Sequence, residues 1–406
     1  MTDHSTRMRD QFADMMEATR LTGAGRLGEA TDLIQRSLRD LAAPPADASE
    51  ARLAPPTLDL TAERVDEAPR PAQASDTVSA ASAIPERLRE AVGGVVRGLG
   101  RGVAPVLKGL GGRAVPPIHG RPAGPAPGGD GSFVTRAFNG PAGSREYRLF
   151  IPSRPQTPAA LVVMLHGCNQ TPDDFAVGTG MNRLAERDGL FVAYPAQTGR
   201  ANPQRCWNWF EPRDQRRDSG EAAIIAGLTR AVMAEHAIDP ARVFIAGLSA
   251  GGAAAANVAR AFPDLYAAVG VHSGLAAGCA RDVGSALMAM QQGAPGAAAG
   301  VPVPTIVFHG EDDATVSARN ADLVLAQAGA GALTPARETF AGAGHAFTRT
   351  RYADAAGRVI LESWRVRGAG HAWSGGDAGG SYTDPRGPDA SRAMLDFFAA
   401  HPLRAS

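Results

Sequence analysis

The residues best suited to chemistry lie in four short runs: "GLSAGG" at 247–252, "HGEDDATV" at 309–316, "GAGHAF" at 342–347 and "GAGHAW" at 368–373. In the first, Gly247-Leu248-Ser249-Ala250-Gly251 reads G-x-S-x-G, after an apolar strand and before the Ala-rich run "AAAANVARAF". That spacing suits a strand–turn–helix elbow so tight that the flanking residues must be small. The turn lifts a serine hydroxyl above a sheet, and the positive end of the following helix points at it. A serine hydroxyl becomes a nucleophile only when a base takes its proton, and the oxyanion that then forms needs donors. Ser249 is the candidate nucleophile, and "LHGCNQ" at 165–170 is the candidate oxyanion loop, where the backbone N–H of Cys168 would pair with that of Ala250. His166 is expected to shape that loop rather than act as a base.

The acid must come off a later strand end. Glu311, Asp312 and Asp313 compete, and the pattern H-G-x-x-D-x-x-V selects Asp313, with Val316 packing back and Asp312 as runner-up. Two histidines compete for the base. His345 stands 32 residues beyond Asp313 and His371 stands 58 beyond (345 − 313 and 371 − 313). Linear spacing favours His345. Strand order favours His371, which follows "RVILESWRVR" at 358–367, the last convincing strand, and precedes a C-terminal helix with Asp389 as N-cap. His345 instead precedes a hairpin turning at 354–357. The assignment is Ser249, Asp313 and His371, in the chain order Ser, Asp, His of α/β-hydrolases.

The elements around these residues must hold them. Between 131 and 406, apolar strands alternate with helical stretches: strand-bearing runs at 145–152, 160–167, 190–195, 243–252, 266–274 and 304–313, helices at 219–236 and 251–262. Such alternation implies an α/β-hydrolase-type architecture, a mostly parallel central sheet with helices on both faces and ligands at the carboxyl ends of its strands. Before residue 131 the composition changes. Residues 1–42 show helical spacing, with Leu27, Ala30, Ile34, Leu38 and Leu41 on one face, and read as a helical hairpin. Residues 43–130 read as a Pro/Ala/Gly-rich, largely disordered linker. Within it, 84–112 combines Leu88, Val92 and Val96 with Arg87, Arg89, Arg97, Arg101 and Lys108, a basic amphipathic pattern suited to a granule or membrane surface, although its glycines weaken any helix.

With 41 basic and 41 acidic residues the formal net charge is zero, which removes the electrostatic argument for nucleic acid. No apolar run reaches the length of a membrane span. Three cysteines exclude a disulfide framework but not a single bridge.

Taken together, "HGCNQTPDDFAVGTGMNRLAERDGLFVAYPAQ", "NPQRCWNWF", "GLSAGG", "GAGHAWSGG" and "SYTDPRGPDASRAMLDFF" resemble the short-chain poly(3-hydroxybutyrate) (PHB) depolymerase-type esterases, over roughly residues 133–403. Feruloyl and acetylxylan esterases are relatives in the wider group. The resemblance implies cleavage of carboxylic esters, or of a polyester, with no cofactor and no metal. It carries the roles of nucleophile, acid and base to Ser249, Asp313 and His371, and that of oxyanion donor to Cys168. It also implies a bridge between Cys168 and Cys206, since both fall in its motifs, while Cys279 matches none and reads as a buried free thiol. Trp207, Trp209 and Trp373 are the aromatic candidates for substrate contact. A bridge suits an oxidising compartment. The polar N-terminus lacks the basic start and apolar centre of a secretory signal, so the expectation leans to the cytoplasm, although members of this family are often secreted.

Overall fold

The computed structural model describes residues 130–298 and 302–403. The expected hairpin at 1–42 and the basic segment at 84–112 lie outside the described residues. Ten strands form one sheet. Its centre is parallel, in the order β4 (Phe191–Pro195), β3 (Ala159–Leu165), β5 (Ile238–Leu248), β6 (Ala268–His272), β7 (Thr305–Gly310) and β10 (Val359–Val366). Antiparallel strands extend both sides: β2 (Gly143–Ile151) and β1 (Ser132–Gly140) beyond β4, and β9 (Phe347–Ala353) and β8 (Thr334–Phe340) beyond β10.

Successive side chains of a strand face opposite ways, and the two faces are covered by different helices. Leu161, Val163, Leu165 and Ile245 pack with α3 (Gly220–Glu235) and α4 (Ala250–Ala261). Val162, Met164, Phe244 and Leu248 pack with α1 (Pro172–Thr179), α2 (Met181–Asp188) and the C-terminal helix α7 (Ala390–Ala399). Asp389 caps α7, its side chain accepting from Arg392 N. On the first face, α5 (Val283–Gln292) and α6 (Arg319–Gln327) complete the layer through Ala286, Ala289, Val324 and Leu325.

Strands β1 and β8 have no counterpart in the hydrophobic pattern. Both are edge strands whose side chains are mostly exposed or half-buried, so neither alternation nor an apolar run marks them. The hairpin between β9 and β10 turns where expected. Asp354 Oδ1 accepts from Ala356 N and Arg358 N, and Gly357 takes φ +78°.

In sequence order, β4 is added on one side of β3 and β5 on the other. The crevice at such a reversal, at the carboxyl ends of the strands, is where an open α/β sheet binds ligands. The loop "HGCNQ" leaves β3 and Ser249 leaves β5, so they flank that crevice.

Candidate active site

Ser249 has φ +59° and ψ −121°, a backbone conformation costly for a residue with a Cβ. The surroundings impose it. A Cβ on Gly247 would lie 2.4 Å from the carbonyl of Gly251, and one on Gly251 would lie 2.0 Å from the Leu165 carbonyl oxygen. Both glycines of G-x-S-x-G are therefore required by the close approach of β3, β5 and α4. Ser249 N donates to His272 O at 2.9 Å, anchoring the elbow to the end of β6. Ala250 opens α4, so its N–H is among the first-turn donors that have no partner within the helix.

The β3 loop lies against this elbow. A Cβ built on Gly167 would be 3.7 Å from Ser249 Cβ. His166 is buried and both ring nitrogens face the backbone: Nδ1 donates to Gly167 O at 2.8 Å, and Nε2 accepts from Gln197 N at 3.1 Å. Burial lowers its pKa to about 4, which keeps it neutral. It shapes the loop and has no free nitrogen to act as a base. Gln170, also buried, accepts from Gly167 N through Oε1 and donates through Nε2 to Asp174 Oδ2 and to Ser381 O.

A disulfide joins Cys168 to Cys206 and so ties the same loop to the "CWNWF" segment. Cys279 is the remaining cysteine, and burial pushes its thiol up to about 12. Beneath the bridge, Glu221 accepts from Asn208 N and from the Gln197 side chain, while Arg145 binds Gln197 Oε1 and lies over the Trp207 ring.

The tryptophans require a correction. Trp207, Trp209 and Trp373 are 0%, 6% and 1% exposed, so none offers a face to a substrate. Trp207 Nε1 donates to His166 O, and Trp373 Nε1 donates to Ser391 Oγ. Both indoles are core side chains, because each packs among apolar neighbours and finds a partner for its one N–H. Trp207→Ala is expected to cost about 3–5 kcal/mol in stability, whereas Trp207→Phe should lose about 1 kcal/mol with the bond to His166 O. Urea denaturation of the two variants checks this.

Asp313 and His371 are brought together. Asp313 Oδ2 accepts from His371 Nδ1 at 2.7 Å, and Oδ1 accepts from Thr315 N and Val316 N at 2.9 and 2.8 Å. Burial by itself would raise the Asp313 carboxyl, but hydrogen bonds from His309 and His371 outweigh it and hold it well below the usual carboxylate range. Asp312 is exposed, and Glu311 likewise. Their backbone N–H groups serve instead to clamp the next loop, Glu311 N to Val366 O and Asp312 N to Ala369 O. Gly310 makes that clamp possible, since a Cβ there would sit 2.3 Å from Ala369 O.

The first histidine turn has a different role. His345 Nε2 pairs with Asp384 Oδ2 at 2.7 Å, and its backbone N–H donates to Arg386 O. Asp384 belongs to β12 (Thr383–Asp384), which pairs in parallel with β11 (Trp373–Ser374) directly after His371. His345 therefore braces the loop that carries the other histidine.

Two residues of the site escaped the sequence reading. His309, fully buried, donates from Nε2 to Val316 O at 2.8 Å and stands 3.4 Å from Asp313 Oδ2. His272 accepts from Ser374 N through Nε2 and stacks between Phe308 and Trp373. Burial drives its pKa well down, so it stays a neutral acceptor. The available signal was a histidine at or next to the end of a mainly apolar strand, in "AVGVH" and "TIVFHG", at the edge where an open α/β sheet binds ligands. Among the described residues no group of three or more His, Cys, Asp or Glu could hold a metal ion.

Residues 146–330 match the family described as "Esterase PHB depolymerase". Poly(3-hydroxyalkanoate) depolymerase C of Paucimonas lemoignei is 33% identical over 239 residues, 54% of this chain and 56% of that protein. Feruloyl esterase B of Neurospora crassa is 29% identical over 154 residues, 38% of this chain and 51% of that one. The chain spans about half the length of these curated relatives. Among solved structures, the acetyl xylan esterase from Aspergillus awamori superposes with a TM-score of 0.52 at 19% identity, over 67% of this chain and 100% of its own, a likeness of fold. The α/β sheet and the strained serine elbow thus stand in a chain whose residues 146–330 match the esterase PHB depolymerase family and which is similar to PHB depolymerases and feruloyl esterases.

Proposed function

We propose that this chain is a serine carboxylic-ester hydrolase acting on 3-hydroxyalkanoate esters, oligomers or polymer. The observation that carries the proposal is the 2.7 Å bond from His371 Nδ1 to a buried, ionised Asp313. That bond places the proton on Nδ1 and leaves Nε2 as the base. In the proposed reaction Ser249 Oγ attacks the ester carbonyl as Nε2 of His371 takes its proton. The oxyanion is held by the N–H groups of Cys168 and Ala250. Collapse of the tetrahedral intermediate breaks the C–O bond, and His371 returns the proton to the leaving alcohol, giving an acyl-enzyme on Ser249. Water, deprotonated by the same nitrogen, then releases the acid and restores the serine.

The similarity to a feruloyl esterase supports a second reading, in which the same groups cleave a feruloyl or acetyl ester. Contact of residues 84–112 with a granule or membrane surface belongs to the proposal as well, and rests on their sequence pattern. Hydrolysis of 3-hydroxybutyrate oligomers, methyl ferulate and a nitrophenyl acetate, with Ser249→Ala as control, tests the reading. Preference for the oligomer with loss in Ser249→Ala is expected. Activity surviving in Ser249→Ala would refute the mechanism, and preference for ferulate would refute the substrate. Cosedimentation with polyester granules, with and without residues 84–112, tests the surface contact.

A further inference from the structure

With the tryptophans buried, the site described so far has no aromatic surface for a substrate. Backbone strain identifies a replacement. Five non-glycine residues among those described have positive φ: Asn169, Arg205, Ser249, Ser273 and Tyr382. Such strain persists where the surroundings impose it, and it concentrates at functional sites. Four of the five belong to segments already placed around the crevice. Ser249 is the elbow and Ser273 follows His272. Asn169 sits in the β3 loop, and its N–H donates to Gln204 O beside Arg205, next to the bridged Cys206.

Tyr382 is the fifth, at φ +52°, a conformation that disfavours a bulky side chain. It is also 46% exposed, one of three large apolar side chains so presented among the described residues. Its place in the chain locates it. Tyr382 O accepts from Trp373 N at 2.7 Å, two residues beyond His371. The preceding Ser381 is pinned by Asp174, through its N–H and hydroxyl, and by Gln170. Gln170 holds Gly167 N with its other end. One buried glutamine thus connects the oxyanion loop to the residue before Tyr382, and one backbone bond connects Tyr382 to the base loop. The strained residue, with its exposed ring, therefore belongs to a segment fastened to both loops.

We propose that Tyr382 is the substrate-contacting aromatic of this site, packing its ring against the hydroxyalkanoate unit next to the scissile ester. The ring face suits the methyl and methylene groups of such a unit, and the phenol can donate to its ester carbonyl. The proposal rests on the polyester reading given above, and deepens it.

The test compares kcat/KM for a 3-hydroxybutyrate trimer with kcat/KM for a nitrophenyl acetate, which lacks the neighbouring unit. In Tyr382→Ala the ratio of the two should fall about tenfold, mainly through KM for the trimer, and in Tyr382→Phe it should fall less than about threefold. Met288→Ala, which removes an equally exposed side chain on α5, serves as the control and should leave the ratio as it was. Tyr382→Gly separates contact from fold, because it relieves the positive φ: its melting temperature should not drop, yet its ratio should fall as in the alanine variant. An unchanged ratio in both Tyr382→Ala and Tyr382→Gly, with the wild type active on the trimer, would overturn this proposal alone. Wild-type protein that cleaves the nitrophenyl ester but not the trimer would overturn the polyester reading and this proposal with it, before any variant is made.

Discussion

Replacing His371 with alanine is expected to slow ester hydrolysis by about four to six orders of magnitude in kcat, while His345→Ala should stay within about tenfold. The two histidines occupy near-identical sequence turns and each pairs with an aspartate at 2.7 Å. What separates them is the aspartate. Asp313 is buried, receives two backbone N–H bonds on its other oxygen, and follows β7, a central strand of the parallel sheet. Asp384 sits on the two-residue strand β12 and is shared with Arg386, so it survives the loss of His345 with a partner in place. A partly exposed pair of that kind is worth at most about 1 kcal/mol, equivalent to less than a tenfold change in rate. Steady-state kinetics on both variants decide the matter. A larger loss in His345→Ala than in His371→Ala would reverse the assignment.

Asp313→Asn is expected to reduce kcat by about four orders of magnitude, and Asp312→Asn by less than about twofold. An asparagine at 313 can still accept from Thr315 N and Val316 N through its oxygen. Its amide then faces His371 Nδ1 with a donor. His371 must present a lone pair on Nδ1 and carry its proton on Nε2, the nitrogen that has to receive the proton of Ser249. The fold would remain and the base would be in the wrong tautomer. The pH consequence has a definite sign. The native pKa of Asp313 lies below its unfolded value, so the stability it contributes is present above the unfolded pKa and is lost only as pH falls through the native one. Asp313 stays ionised throughout the neutral and mildly acidic range, and its titration does not shape the rate profile there. Circular dichroism of Asp313→Asn beside its kinetics separates loss of tautomer from loss of fold. A variant that is folded and active within tenfold of wild type would refute the role.

The residues proposed to carry the chemistry were legible where their constraints follow the chain. Gly247 is dictated by the Gly251 carbonyl within the same turn, and a strand–turn–helix run of small residues reports that directly, while the Leu165 carbonyl of β3 that dictates Gly251 comes from elsewhere in the chain. Buried parallel strands are apolar throughout, and Asp313 follows one of them at a fixed interval. The order of strands and helices favoured His371 over His345 against their linear spacing, since His371 follows the last strand expected in the parallel sheet. That strand, β10, pairs in parallel with β7.

Legibility ended where a residue's environment is built by segments far apart in the chain. "CWNWF" alternates in a way that suits a binding face or a core equally. Trp207 is inside because His166 O, 41 residues earlier, takes its N–H and Arg145 covers its ring. Gln170 joins Gly167 to Ser381 across 211 residues, and nothing in "HGCNQ" announces that span. The edge strands β1 and β8 left no pattern because neither face of them is buried. In "GSYTD" the tyrosine was one polar-looking letter of a loop until the backbone around it proved to be pinned from two sides and turned to positive φ. Short-range sterics and the period of burial are written along the chain. Which side of a loop faces solvent depends on the partners that tertiary contacts bring to it, and only the folded molecule contains them.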